Sequence, residues 1–372
     1  MAGKTASPEK KRWVRLTRAC NNRCLFCLDA EAQNGAALPL AEIRADLEAG
    51  RREGCRRAVL SGGEPTLHPE FVRIVALARR LGYEHVQAIT NGRRFCYPEF
   101  LRAAVKAGLK ELTFSVHGAT AEVHDALTGV RGSFAQALAG LANALATPGL
   151  IVSSDVVVNR LNAGSLLSVV ELLYSRGVRE YDLLNLIPFG DAWKNWRRLG
   201  YRPAALRGEL ARVFRFAEAS GARVWTNRFP PELLEGEERY LQHPEKLTDE
   251  ARGMRAMMEA FLQRGERQFC RGVRCRSCVM ARFCRDLALL RAAGRLPAQP
   301  APRCLPDLKR PRGFIRVSDD MPKIAEFFVR GRYMLKGSGC RRCAERARCA
   351  GAPALEVYAR GFAAFKPLGR PR

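Results

Sequence analysis

Six times in roughly the first 225 residues, a short apolar run is followed by a helical period, and this alternation constrains the fold more than any other feature of the chain. The runs at 13–17, 58–61, 85–90, 111–115, 152–158 and 181–186 are rich in Val, Ile and Leu and read as mostly apolar on both faces. That pattern suits a parallel sheet covered by helices. Helical periods follow at 40–53, 70–81, 98–107, 134–146, 166–176 and 204–220. Several stop at a glycine fit for a C-cap: Gly54, Gly82, Gly108, Gly177 and Gly221. Six consecutive β-α units predict an α/β fold with right-handed crossovers. Six are too few for a closed eight-unit barrel, so the expectation is a partial (β/α)6 TIM-like barrel with its site at the C-terminal strand ends.

Composition narrows the class. With 372 residues and 47% hydrophobic content, the chain can bury a large core and carry a smaller second domain. No apolar run approaches the roughly 18 residues of a membrane span, and the polar, basic residues 1–12 lack a secretion-signal pattern. A disordered basic N-terminus and a cytoplasmic location are expected, with no membrane partner. In that setting 13 cysteines point to metal sites rather than disulfides. Only Cys55 and Cys96 stand apart and read as small buried hydrophobes. The net charge of +26 would attract nucleic acid or acidic partners. However, only 11 of the 63 basic residues are lysine, and the arginines are spread along the chain. An Arg/Ala bias of a GC-rich genome gives the same balance, so nucleic acid is not the expected physiological partner.

Cys20, Cys24 and Cys27 lie within eight residues, just after the first strand. Three thiolates so spaced can wrap one face of an iron–sulfur cube and leave the fourth iron open, whereas zinc would need a fourth ligand close by. The C-x3-C-x2-C run with Phe26 before its last cysteine, together with Gly62-Gly63-Glu64 after the second strand, resembles the radical SAM (S-adenosylmethionine) superfamily. The resemblance spans roughly 12–225 and assigns a core domain to 13–225. It implies a 4Fe-4S cluster on Cys20, Cys24 and Cys27 whose open iron chelates the methionine part of SAM. Gly62 and Gly63 would let the backbone approach, Gly63 and Glu64 would meet the methionine amino group, and Phe26 would lie near the adenine. Ser115 and Asn159, at the ends of the fourth and fifth strands, would contact ribose or carboxylate. One departure stands out: many relatives with peptide substrates carry Asp-Gly after the fourth strand, where this chain has His117-Gly118. His117 is therefore a candidate for a direct role, and His68 and His124 read as surface or cap residues.

Beyond a charged connecting or lid segment at 226–268, residues 269–372 carry Cys270, Cys275, Cys278, Cys284, Cys304, Cys340, Cys343 and Cys349. Both groups contain C-x2-C-x5-C, and a Pro-rich stretch at 297–302 reads as a stiff linker between them. The spacing resembles the SPASM-type extensions of radical SAM enzymes, which implies one or two auxiliary 4Fe-4S clusters. The pattern is incomplete, because Ala288 and Pro353 stand where a further cysteine is expected. Structural zinc remains the alternative. The resemblance implies an enzyme that cleaves SAM to a 5′-deoxyadenosyl radical and abstracts hydrogen from a peptide or protein side chain or a small molecule, with flavodoxin or ferredoxin as electron donor. The alternatives are an RNA- or nucleoside-modifying enzyme and a non-catalytic iron–sulfur electron-transfer protein.

Overall fold

The structure, a computed structural model, describes residues 9–266, 272–308 and 312–369. The chain divides into two compact units, one up to Val224 and one from Trp225 onward.

The first unit is built on strands β1 (Lys11–Thr17), β2 (Arg57–Gly62), β3 (His85–Thr90), β4 (Glu111–Ser115), β5 (Ile151–Val158) and β6 (Glu180–Asn185). Consecutive strands pair in parallel. A strand missed in the sequence, β7 (Arg223–Asn227), comes next in the sheet and carries the chain into the second unit. The order runs from β1 to β7 without a crossover, with β1 and β7 at its two ends, as in an open barrel. β1 begins two residues before the expected run, and Arg12 Nε donates to Asp46 Oδ1 at 2.9 Å.

Helices α1 (Leu40–Arg52), α2 (Phe71–Arg80), α3 (Pro98–Lys106), α4 (Ala121–Thr128), α5 (Ser133–Leu145), α6 (Leu166–Arg176), α7 (Gly190–Lys194), α8 (Trp196–Leu199) and α9 (Pro203–Ser220) fill the connections. Helical spacing explains their burial: Phe71, Ile74, Val75 and Ala78 line the core face of α2, while basic residues end it. Burying Phe71 alone stabilises the fold by about 1.5–3 kcal/mol.

One face of the sheet is apolar and the other is mixed, with Val59 buried among polar residues, which corrects the expectation of two mostly apolar faces. Ala58, Leu60, Val86, Ala88, Leu112, Phe114, Val156, Val158, Tyr181 and Leu183 are all fully buried. The alternate residues form a polar ladder. His85 Nε2 meets Glu111 Oε2 at 2.7 Å, with Arg57 on the same oxygen. Gln87 Nε2 donates to Thr113 Oγ1 at 2.8 Å, and Thr113 Oγ1 meets Ser153 Oγ at 2.9 Å. Such a face belongs to the hollow of an open barrel, where side chains meet water or ligand instead of helices.

In the second unit the expected connecting segment holds α10 (Lys246–Gly253) and α11 (Arg255–Glu259). The cysteine-rich region contains α12 (Ala281–Ala293), α13 (Met321–Gly331) and α14 (Ala354–Arg360). Met321, Ile324, Ala325, Phe328 and Val329 make a buried stripe on α13, so this region is more regular than expected. The proline-rich stretch is no free linker: β8 (Arg295–Pro297) pairs with β9 (Phe314–Arg316), and Gln299 N donates to Gly331 O at 2.8 Å. Arg332 reaches from the end of α13 to Asp286 on α12 with N···O distances of 2.6 and 3.3 Å, a bidentate pair largely shielded from water. No helix among the described residues is long and apolar enough to cross a membrane.

Candidate active site

The three N-terminal cysteines occupy the loop that leaves β1, and other segments of the first unit pin that loop. Arg23 N and Leu25 N donate to Thr128 O and Leu127 O at the end of α4, at 2.8 and 2.9 Å. Asp191 N donates to Cys27 O at 2.9 Å, and Asn195 Nδ2 donates to Leu25 O at 3.0 Å. N–H donors point at the sulfurs. Asn22 N lies 3.4 Å from Cys20 Sγ and Gln33 Nε2 lies 3.2 Å from Cys27 Sγ. Burial pushes the Cys20 thiol up to about 11, and it raises Cys24 and Cys27 too. Cys20 and Cys27 both add to the rise at Cys24, so the three thiols share one electrostatic site. Among the described residues no three His, Cys, Asp or Glu side chains are gathered tightly enough to hold a single metal ion. A four-iron cube places its thiolates at separate corners and does not require such a grouping.

The end of β2 lies against the same loop. Gly63 N donates to Thr17 O and Glu64 N to Ala19 O, both at 2.8 Å. A Cβ on Gly63 would stand 2.3 Å from Ala19 O and 3.2 Å from Cys20 Cβ. A Cβ on Gly62, at φ +150°, would stand 2.4 Å from Thr17 O. Only glycine permits this approach at both positions.

The Glu64 carboxylate is buried and turned into the protein. Oε1 accepts from Thr66 N at 3.1 Å, Thr66 Oγ1 at 2.6 Å and Thr90 Oγ1 at 2.8 Å, while Oε2 accepts from Asn91 N at 2.7 Å. Burial raises its pKa, and the four donors oppose the rise. The side chain thus ties the end of β2 to the end of β3. Glu64→Gln puts an amide donor where only acceptors fit. We expect unfolding free energy to drop by about 1.5–3 kcal/mol, the range for a bond to a charged group, read as a lower urea midpoint at unchanged slope. An unchanged midpoint would show that the tie contributes nothing.

Phe26 is buried with Leu127, Leu186, Ala192 and Leu199, and its ring meets His117 edge-on at 4.7 Å. His117 Nδ1 accepts from Val157 N and His124 Nδ1 accepts from His117 N, each at 3.2 Å. His68 Nδ1 accepts from Glu70 N at 3.1 Å, just before α2. His68 and His124, expected at the surface or as caps, are both buried, and each accepts a backbone N–H. Burial pulls His117 well below the usual histidine range and His124 down to about 4, so both are neutral at pH 7. Their stabilising contribution is complete above the unfolded value near 6.5 and is lost as pH falls from there toward the folded value, about 4 for His124. Denaturation midpoints at pH 7 and pH 5 should show a loss of up to about 1.4 kcal/mol per pH unit per histidine, smaller in His124→Gln.

Asn159 is fully buried, with Oδ1 accepting from Leu161 N and Nδ2 donating to Val157 O, both at 3.0 Å. To reach a ligand it would have to exchange these bonds. Ser115, at the end of β4, is half-buried, and no described residue hydrogen-bonds its hydroxyl. In the same row across the sheet stand Asp155 and Asp182. Desolvation raises the Asp155 carboxyl well above its usual value, and the charges of Asp182 and Glu111 add to the rise. This pair was not foreseen, although the alternation in 151–158 and 180–185 signals it.

In the second unit burial raises the Cys304 thiol, and the charges of Cys349, Cys340 and Cys343 raise it further. Cys275 and Cys278 lie on a turn, and Cys284 lies in α12. Cys270 lies outside the described residues. Cys55 is buried and Cys96 half-buried.

Residues 14–173 match the model of the radical SAM superfamily. A curated relative, the "Probable GTP 3',8-cyclase" of Saccharolobus solfataricus, is 33% identical over 178 residues, which are 48% of this chain and 57% of the relative. Its counterpart in Sulfolobus acidocaldarius is 28% identical over 48% of this chain and 56% of its own length. The chain thus spans little more than half the length of the curated relatives it matches. Among solved structures, Streptococcus suis SuiB bound to precursor peptide SuiA has a TM-score of 0.48 at 16% identity, covering 60% of this chain and 50% of that one. Native anSMEcpe with bound AdoMet and Kp18Cys peptide has a TM-score of 0.49 at 15% identity, covering 95% of each. Likenesses at that level carry no argument about substrate.

Proposed function

We propose that this protein is a radical SAM enzyme whose cleavage site is the loop of Cys20, Cys24 and Cys27. The observation that carries the reading is the close approach of Gly62 and Gly63 to Thr17, Ala19 and Cys20. It sets a glycine backbone beside a three-thiol loop with no side chain between them. The donor set fits a 4Fe-4S cluster: three half-buried thiols share one site, with N–H groups aimed at the Cys20 and Cys27 sulfurs. When bound and reduced, the cluster supplies an electron to the sulfonium of SAM, which gives methionine and a 5′-deoxyadenosyl radical able to take hydrogen from a substrate.

The chain's own residues then bind and orient. Gly63 and Glu64 would offer backbone groups to the methionine amino group, since the Glu64 carboxylate already has four donors. The Ser115 hydroxyl is free to meet the ribose. Phe26, backed by His117, gives the loop a rigid apolar wall near the adenine. Asp155 and Asp182 would hold polar substrate groups in the hollow of the barrel.

The C-terminal cysteines are read as ligands of one or two auxiliary 4Fe-4S clusters, with Cys304, Cys340, Cys343 and Cys349 as one set. Together with the SPASM-like spacing, this favours a peptide or protein side chain as substrate, flavodoxin or ferredoxin as donor and a cytoplasmic setting. A second reading, a nucleotide substrate, is favoured by the relatives named as GTP 3',8-cyclases. The test is 5′-deoxyadenosine release by reconstituted protein with dithionite and SAM, alone and with GTP. A rise with consumption of GTP would replace the peptide reading. No release under any condition would overturn the enzyme.

A further inference from the structure

Arg93 follows the turn after β3, where Gly92 takes φ +79° and a Cβ would run into the Phe114 ring at 2.4 Å. That turn sends the Arg93 side chain across the cluster loop. One guanidinium nitrogen bonds Asn21 O and lies 2.9 Å from Asn22 Oδ1, while Nε donates to Gln136 Oε1 at 2.6 Å. Asn91 Nδ2 adds a bond to Asn21 Oδ1 at 2.6 Å. Asn22 is the residue whose backbone N–H points at Cys20. The nearby ionisable groups Cys20 and Cys96 both feel the guanidinium charge, and the carboxylate acting on Cys20 is Glu64.

We propose that Arg93 is a positioning residue that sets the reduction potential of the SAM-cleaving cluster: by clamping Asn21 and Asn22 it aims the Asn22 N–H at Cys20 and keeps a positive charge beside that thiolate. Cluster potentials follow net charge and hydrogen bonds to the sulfurs, and both favour the reduced, more negative state here. The inference rests on the cluster assignment made above.

The test is a redox titration of the reconstituted full chain by electron paramagnetic resonance, following the component that changes when SAM is added. In Arg93→Gln the one-electron equilibrium should shift against reduction about tenfold, equivalent to about 59 mV, and Arg93→Lys should recover more than half of the shift. A Gln variant within threefold of wild type would overturn the proposal. If the Gln variant does not assemble its cluster, Arg93→His decides: its potential should rise more steeply than that of wild type as pH falls from 8 to 6. Equal slopes would overturn the proposal. Absence of any SAM-responsive component in wild type would defeat the cluster assignment instead.

Discussion

Replacing Cys24 with alanine is expected to abolish 5′-deoxyadenosine formation and to lower bound iron from about 12 to about 8 per chain, one four-iron cluster being lost out of three. A methyl group cannot replace a thiolate ligand. The loop from Cys20 to Cys27 has no spare cysteine, and its backbone is tied to α4, Asp191 and Asn195, so it cannot slide to bring in another. The eight C-terminal cysteines belong to a different stretch of chain and should keep their metal. Turnover at the wild-type rate would refute the assignment of the loop. Wild-type iron near 4 with stoichiometric zinc would assign the C-terminal cysteines to zinc, and iron near 8 would leave a single auxiliary cluster.

The second large effect is expected from Gly63→Ala. The added Cβ would meet backbone, the Ala19 carbonyl, at 2.3 Å, and no rotamer relieves such a contact. Either the bonds from Gly63 N and Glu64 N to the loop break, or the loop moves and takes Cys20 with it. A cost of about 1–3 kcal/mol in stability is the ordinary penalty for overpacking. The functional loss should be larger, because the displaced groups are those proposed to meet SAM: SAM affinity should drop at least tenfold with C-terminal iron retained. Gly35→Ala is a fitting control, since a Cβ there has open space around it and the strain at φ +78° is local. Equal SAM affinity in wild type and Gly63→Ala would remove the β2 end from the site.

Much of the barrel was legible because two independent signals coincided in each unit. The helix α6 begins and ends where its apolar period does, and Gly177 adopts the left-handed C-cap its position suggests. The inner face of the sheet was misread, although Glu111-Leu112-Thr113-Phe114-Ser115 alternates plainly. A run of strands between helices invites the assumption of two covered faces, and an open barrel covers only one. In the second unit, attention to cysteine spacing hid the helical period of α13. The motif residues could be picked out, but not what their side chains would bond. Glu64 meets Thr90 and Asn91 from 26 and 27 residues away, and Arg93 reaches Asn21 across 72. Such contacts depend on which strand ends become neighbours, information held by the sheet order and not by any local window.

On the proposed reading, the loop of Cys20, Cys24 and Cys27 leaves an iron open to the methionine end of SAM. Electron nuclear double resonance on the reduced full-length protein with SAM labelled at the amino nitrogen tests it directly. We expect a 15N coupling of a directly bound nitrogen, present in wild type and absent in Cys24→Ala. A reduced wild-type cluster with SAM bound but no such coupling would contradict it.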